Sequence, residues 1–154
     1  MRFLGIDYGQ RRIGLAVSDP TGLLARPWKT VARHGNRTQV ADALMVEIEQ
    51  LASHEDGLAG VVLGYPRTLG GDPTHQTAAV TALADTLRAR LQIPVVLQDE
   101  RLSSREAEQL LARRLKDWRD RKPLLDAASA AVILQDYLDS RATVSGSAAE
   151  DAGF

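Results

Sequence analysis

The hydrophobic positions change period along the chain, and the changes mark out its elements. Residues 2–8 (RFLGIDY) and 12–18 (RIGLAVS) are short, β-rich runs joined by GQR, which predicts a hairpin. In the second run Ile13, Leu15 and Val17 point one way while Arg12, Gly14, Ala16 and Ser18 point the other. A third strand is predicted at 24–31 (LARPWKTV), on a sheet edge because of Pro27. The period then becomes helical. Asn36 caps a helix over 37–53 whose stripe is Val40, Leu44, Ile48 and Leu51. Residues 58–64 (LAGVVLG) are continuously apolar, as a parallel strand covered on both faces requires. After a Gly/Pro-rich loop at 65–74, Asp72 and Pro73 signal a helix with the stripe Val80, Leu83, Leu87 and Leu91. Pro94 ends it, and 95–98 (VVLQ) is a buried strand running into Asp99 and Glu100. Ser103 or Ser104 with Glu106 predicts a short helix to about Arg114. A charged connection follows at 116–122, and Pro123 precedes a last helix over 124–138. Residues 140–154 are small and polar, and are expected to be a disordered tail after a folded domain of residues 1–139.

Three strands in a meander followed by alternating helices and strands predict an α/β fold. Its mixed five-stranded sheet has an antiparallel meander, then two parallel strands, with helices on both faces. The length of 154 residues suits one core, and 44% hydrophobic with 25% charged residues is the balance of a globular chain. Cysteine is absent, which excludes disulfides, thiolate zinc sites and a cysteine nucleophile. No apolar run approaches a membrane span and no signal-peptide pattern opens the chain, so a soluble cytoplasmic protein is expected. His34, His54 and His75 share no ligand spacing and are read as surface residues.

Asp7 interrupts the first strand, where a buried charge needs compensation. A salt bridge to Arg11 or Arg12 would serve, as would backbone donors or a metal ion. Glu100 lies at the carboxyl end of a parallel strand, the rim at which open α/β sheets place their sites. Asp126 lies in the first turn of the last helix, beside the small Ser129 and Ala130. Together Asp7, Glu100 and Asp126 offer hard oxygen ligands suited to Mg²⁺ or Mn²⁺. Gly5, Gly9 and Gly14 flank Asp7 and would let a bulky ligand approach the backbone. Asp19 ends the second strand too far away to join and is read as a turn former. Net charge is only −1, yet Arg113, Arg114, Lys116, Arg119, Arg121 and Lys122 crowd around Trp118 just before Asp126. Such a run fits phosphates, and its Trp could stack on a base.

The stretches GIDYGQRRIGLAVSD, VVLGYPRTLGGDPT, VVLQDERLSSREAE and KPLLDAASAAVILQDYLD, in that order over residues 2–138, resemble the YqgF family of pre-16S rRNA nuclease and Holliday junction resolvase-like proteins. The resemblance implies an RNase H-like fold and phosphodiester hydrolysis with two divalent metals held by Asp7, Glu100 and Asp126. Family members usually carry a Lys or Arg four residues before the last Asp, and Lys122 matches. Lys122, Arg12 and Arg101 are expected to hold phosphates, and Gly5, Gly9 and Gly14 to let the substrate backbone reach the metals. Where relatives commonly read PxNxDGS, this chain reads PRTLGGDP, so a polar contact near Leu69 is missing. Processing of the 5′ end of precursor 16S rRNA, on ribosomal particles or free, is the expected role, and cutting of branched DNA in recombination and repair is the alternative. A symmetric junction needs a dimer, and no dimerisation stripe stands out, which favours RNA. A non-catalytic nucleic-acid-binding module is a reading of another class, against which the intact carboxylates speak. A sugar-kinase or actin-like ATPase would need a second domain that 154 residues do not supply.

Overall fold

The computed structural model describes residues 1–66, 75–100 and 124–151. The expected helix at 103–114, the charged run 113–122 with Trp118, Arg101 and Lys122, and loop residues 67–74 lie outside them. Strands β1 (Arg2–Tyr8), β2 (Arg12–Ser18) and β3 (Ala25–Ala32) precede helix α1 (Arg37–Ala52) and strand β4 (Leu58–Pro66). Helix α2 (His75–Arg90), strand β5 (Val95–Glu100) and helix α3 (Leu125–Asp151) follow.

The five strands form one sheet in the order β3-β2-β1-β4-β5. β1 and β2 pair antiparallel, as do β2 and β3, whereas β1 with β4 and β4 with β5 are parallel. This is the mixed sheet that the pattern predicts. Pro27 falls on the edge strand opposite Ala16, beside a register shift between Leu15 and Ala16, where a missing ladder donor is tolerated. Asn36 caps α1 in a reciprocal box: its Oδ1 accepts from the Gln39 amide at 3.0 Å, and Gln39 Oε1 accepts from the Asn36 amide at 2.8 Å.

The two faces of the sheet are packed differently. Leu4, Ile6, Tyr8, Ile13, Leu15 and Val17 turn towards α1 and α2, where Val40, Leu44, Ile48, Val80, Leu83 and Leu87 complete the larger core. The opposite face presents Phe3, Ala16 and Val62 to Ala130, Ala131, Ile133, Leu134 and Leu138 of α3. An alanine-rich stripe brings that helix close. At Gly5 an added Cβ would lie 2.8 Å from Leu134 Cβ and 2.9 Å from the Ala130 carbonyl oxygen. Gln135 clasps α3 to the β2–β3 turn, accepting from the Ala25 amide at 2.8 Å and donating to the Leu23 carbonyl at 2.9 Å.

Three boundaries differ from expectation, beginning with β4, which runs to Pro66 and not residue 64. β5 extends through Asp99 and Glu100, because the ladder continues as Tyr65↔Asp99 and Pro66↔Glu100. The last helix does not close near residue 138. It runs to Asp151, so the segment expected as a disordered tail is helical that far. No proline interrupts residues 139–151, so nothing there forbids the helix from continuing.

Candidate active site

β1 carries Asp7 on the α3 face, directly opposite Gly14 of β2. Gly14 positions the start of α3: an added Cβ would stand 1.9 Å from the Asp126 carbonyl oxygen and 2.9 Å from the Ala127 nitrogen. No side chain fits there. The bare strand lets the first turn of α3 sit against the sheet, with Asp126 beside Asp7. Glu100 arrives from the end of β5, two strands away across β4. On the intervening strand Gly64 leaves room for it, since an added Cβ would lie 3.2 Å from Glu100 Oε2 and 2.6 Å from Ile133 Cδ1.

The three carboxylates thus share one end and one face of the sheet, and they act on each other. Burial first, then the charge of Glu100, then that of Asp126 push the Asp7 carboxyl up to about 7. The salt bridge that could have compensated Asp7 goes elsewhere. Arg12 Nε stands 3.0 Å from Asp126 Oδ2, with the Arg12 side chain 62% and that of Asp126 31% exposed. With Asp126 turned to Arg12, no three His, Asp or Glu side chains among the described residues close on one ion-sized point. The donor chemistry nevertheless fits a hard divalent cation. All three groups are carboxylates, and their mutual repulsion is what an added positive charge would relieve.

The glycines require a correction. Gly5, Gly9 and Gly14 do not open space for a substrate backbone, because protein atoms fill that space. α3 covers Gly5 and Gly14, while at Gly9 an added Cβ would meet the Arg12 carbonyl oxygen at 2.5 Å across the hairpin turn. A sequence shows a missing side chain without showing what occupies its place. Gly64 is the residue that sequence reasoning passed over; its signal is a glycine inside the otherwise apolar run of β4. Asp19 forms a turn as expected: its Oδ1 accepts from the Leu23 and Leu24 amides at 2.9 and 3.0 Å, and Thr21 also donates to it. Those donors, led by the Leu24 amide, hold its carboxyl down to about 2. His34 and His54 are exposed. Asp99 is not among the groups acting on Asp7.

An acidic cluster at the rim of a mixed β3-β2-β1-β4-β5 sheet is an RNase H-like arrangement, and solved junction resolvases share the fold. RuvC of Thermus thermophilus, in complex with a Holliday junction substrate, superposes with a TM-score of 0.52 over 92% of this chain and 95% of that one, at 16% identity. The fowlpox virus resolvase, in complex with substrate Holliday junction DNA, reaches 0.59 over 91% and 98%, at 11% identity. Residues 1–140 match the family model RuvX, described as Holliday junction resolvase, and the chain belongs to that family, also known as YqgF. Relatives from Chloroflexus aggregans and Syntrophus aciditrophicus both bear the name "Putative pre-16S rRNA nuclease". The first is 40% identical over 138 residues, spanning 90% of this chain and 93% of its own. The second is 40% identical over 140 residues, spanning 91% and 89%. Among the described residues no helix is long and apolar enough to cross a membrane.

Proposed function

We propose that this nuclease hydrolyses phosphodiester bonds with Mg²⁺ or Mn²⁺, and that its substrate is the 5′ end of precursor 16S rRNA during ribosome maturation in the cytoplasm. The observation that carries the reading is the gathering of Asp7, Glu100 and Asp126 from β1, β5 and α3, with Gly14 and Gly64 clearing the way for two of them. Asp7, whose carboxyl feels both others, would with Glu100 and Asp126 hold the ions. Bound there, divalent cations supply a nucleophilic hydroxide at neutral pH and stabilisation for the leaving 3′ oxygen.

The protein's own groups have distinct tasks. Asp7 must lose the proton that its surroundings favour, which makes productive binding pH-dependent near neutrality. Arg12 stands beside Asp126 with most of its side chain in solvent, placed to hold a phosphate oxygen of the substrate. Arg101 and Lys122 are proposed as further phosphate contacts on the sequence motif. The RNA assignment is supported by the names of the 40%-identical relatives. A second reading, cleavage of branched DNA, is favoured by the description of the family model over residues 1–140.

The test is incubation with precursor rRNA, single-stranded RNA and a four-way DNA junction, each with Mg²⁺, Mn²⁺ or chelator. Metal-dependent cleavage of the precursor is expected. Cleavage of the junction alone overturns the substrate, and unchanged cleavage by Asp7→Asn overturns the site.

A further inference from the structure

The chain carries 19 Lys and Arg against 20 Asp and Glu, but six of the former and only one of the latter fall between Tyr8 and Ala41. The single acid, Asp19, lies in the turn at the far end of the hairpin from Asp7, opposite the site. Because β3 runs parallel to β1, the carboxyl end of β3 and the start of α1 lie at the same end of the sheet as the carboxylates.

Three arginines collect there. Arg11 is exposed at the hairpin tip, and its carbonyl accepts from the Arg33 amide at 2.9 Å. The Arg33 guanidinium lies 3.9 Å from the centre of the Tyr8 ring, and its Nη1 donates to the Gly9 carbonyl at 2.9 Å. Those contacts orient the cation without neutralising it. Arg37 opens α1 in an exposed position, with no acid in the first turn. Among the described residues none of the three pairs with a carboxylate. Some cations elsewhere do: Lys29 with Glu47 at 2.8 Å, Arg88 with Asp85 at 3.3 Å and Arg90 with Asp42 at 2.6 Å. Among the described residues Arg2, Arg26 and Arg141 also lack a carboxylate partner, but they lie towards the other end of the sheet, whereas Arg11, Arg33 and Arg37 share the end that holds Asp7, Glu100 and Asp126.

We propose that Arg11, Arg33 and Arg37 form a docking strip for the phosphodiester backbone of the nucleic acid as it continues past the bond to be cleaved. The strip rests on the nuclease reading for its orientation and extends the contact beyond Arg12. Arg11 sits at the hairpin tip next to Asp7's strand, whereas Arg33, stacked on Tyr8, and Arg37, at the start of α1, lie on the α1 side of the sheet, so the strip leads from the carboxylates' end round the sheet edge to the opposite face. Its recognition is by charge, and it discriminates little between sequences.

The probe is a fluorescently labelled 20-nucleotide single-stranded RNA, titrated with the full chain in chelator so that no cleavage occurs. Arg11→Gln/Arg37→Gln removes two exposed side chains, and a thermal melt checks that the fold is kept. Affinity is expected to fall roughly 10- to 50-fold at 0.1 M salt, and the slope of log K against log salt to flatten by about 1.5. Arg33→Gln is expected to flatten it by about 0.7. Arg26→Gln is the control: Arg26 is also exposed, on β3, but pairs in register with Val17, towards the other end of the strand. It should bind as the unaltered chain does. Wild-type affinity and slope in the double variant overturn the strip, as does an equal loss in Arg26→Gln. Cleavage by Asp7→Asn alongside weakened binding of the double variant would overturn the catalytic site and leave the strip standing. An unaltered chain that binds no nucleic acid overturns both.

Discussion

The two faces of the sheet are built to different ends. Under α1 and α2 the strands present large residues, Leu4, Ile6, Ile13 and Leu15, which hold the helices off at ordinary packing distance. Under α3 the same strands present Gly5, Asp7, Gly14 and Ala16, and the helix answers with Ala127, Ala130 and Ala131. That face yields less apolar area per residue. In exchange it brings a helix backbone against the sheet, so that Asp126 stands beside a strand carboxylate. One face supplies the larger apolar core, and the other, with a smaller core of its own, supplies proximity of like charges.

The largest effect should come from the carboxylate at the centre of that second face. Asp7→Asn keeps the shape and removes the charge, and cleavage is expected to drop by at least roughly 1,000-fold, about 4 kcal/mol of barrier. The fold should not suffer. Single-turnover cleavage beside a thermal melt reads both, and an inactive variant that is also unfolded would show that Asp7 serves the structure instead.

Next come substitutions that contrast the faces directly. Gly14→Ala places a carbon on the Asp126 carbonyl, which is backbone and cannot step aside, so the start of α3 must shift. A cost of about 1–3 kcal/mol in stability is expected, with kcat reduced tenfold or more because the two carboxylates separate. Leu44→Ala, in the other layer, should cost about 2–5 kcal/mol by opening a cavity and leave kcat intact below the melting temperature. If both variants change kcat in proportion to stability, the division between faces is lost. Gly64→Ala should be milder than Gly14→Ala, because its nearest obstacle is the mobile Cδ1 end of Ile133.

How far the sequence exposed this division is instructive. The stripes Val40-Leu44-Ile48-Leu51 and Val80-Leu83-Leu87, and the alternation in β2, are local patterns, and they specified the sheet and the larger core. The positions of Asp7, Glu100 and Asp126 on a strand, at a strand end and at a helix start, together with the family resemblance, singled them out as candidates. The glycines were legible as positions and not as causes. Whether a bare strand faces a ligand or a helix depends on contacts between residues 5 and 134, or 14 and 126, which no local window contains. Gly64 and the Gln135 clasp went unnoticed for the same reason. The reach of α3 to Asp151 depended on weak, cumulative helix preferences without a sharp stop signal.

A smaller effect tests the electrostatics alone. Asp7 titrates at about 7 in the fold and near 3.8 when unfolded. Between those values the folded chain holds a proton that the unfolded chain has released, so stability is fully present below pH 3.8 and declines as pH rises through 7. In chelator, Asp7→Asn should therefore be more stable than the unaltered chain at pH 8, by roughly 1–3 kcal/mol, and no more stable at pH 4. Denaturant titrations at both pH values read the difference. Mg²⁺ should raise the unaltered chain at pH 8 and do little for the variant. A stability gap independent of pH would mean that Asp7 is not strained by its neighbours.

The smallest change in stability is expected at Arg12, whose ion pair with Asp126 crosses from the hairpin to α3 at the surface. With the Arg12 side chain 62% exposed, water screens the pair, and Arg12→Gln should cost less than about 1 kcal/mol. Substrate binding should respond more than folding does. Losing one phosphate-facing cation is expected to weaken RNA affinity several-fold at 0.1 M salt and to flatten the salt slope by about 0.7. Removal of Arg12 also frees Asp126 from its competitor. Mg²⁺ binding to the protein alone, measured by calorimetry, should tighten by a few-fold in the variant even as RNA binding weakens. Movement of both affinities in the same direction would show that Arg12 supports the carboxylate and does not compete for it.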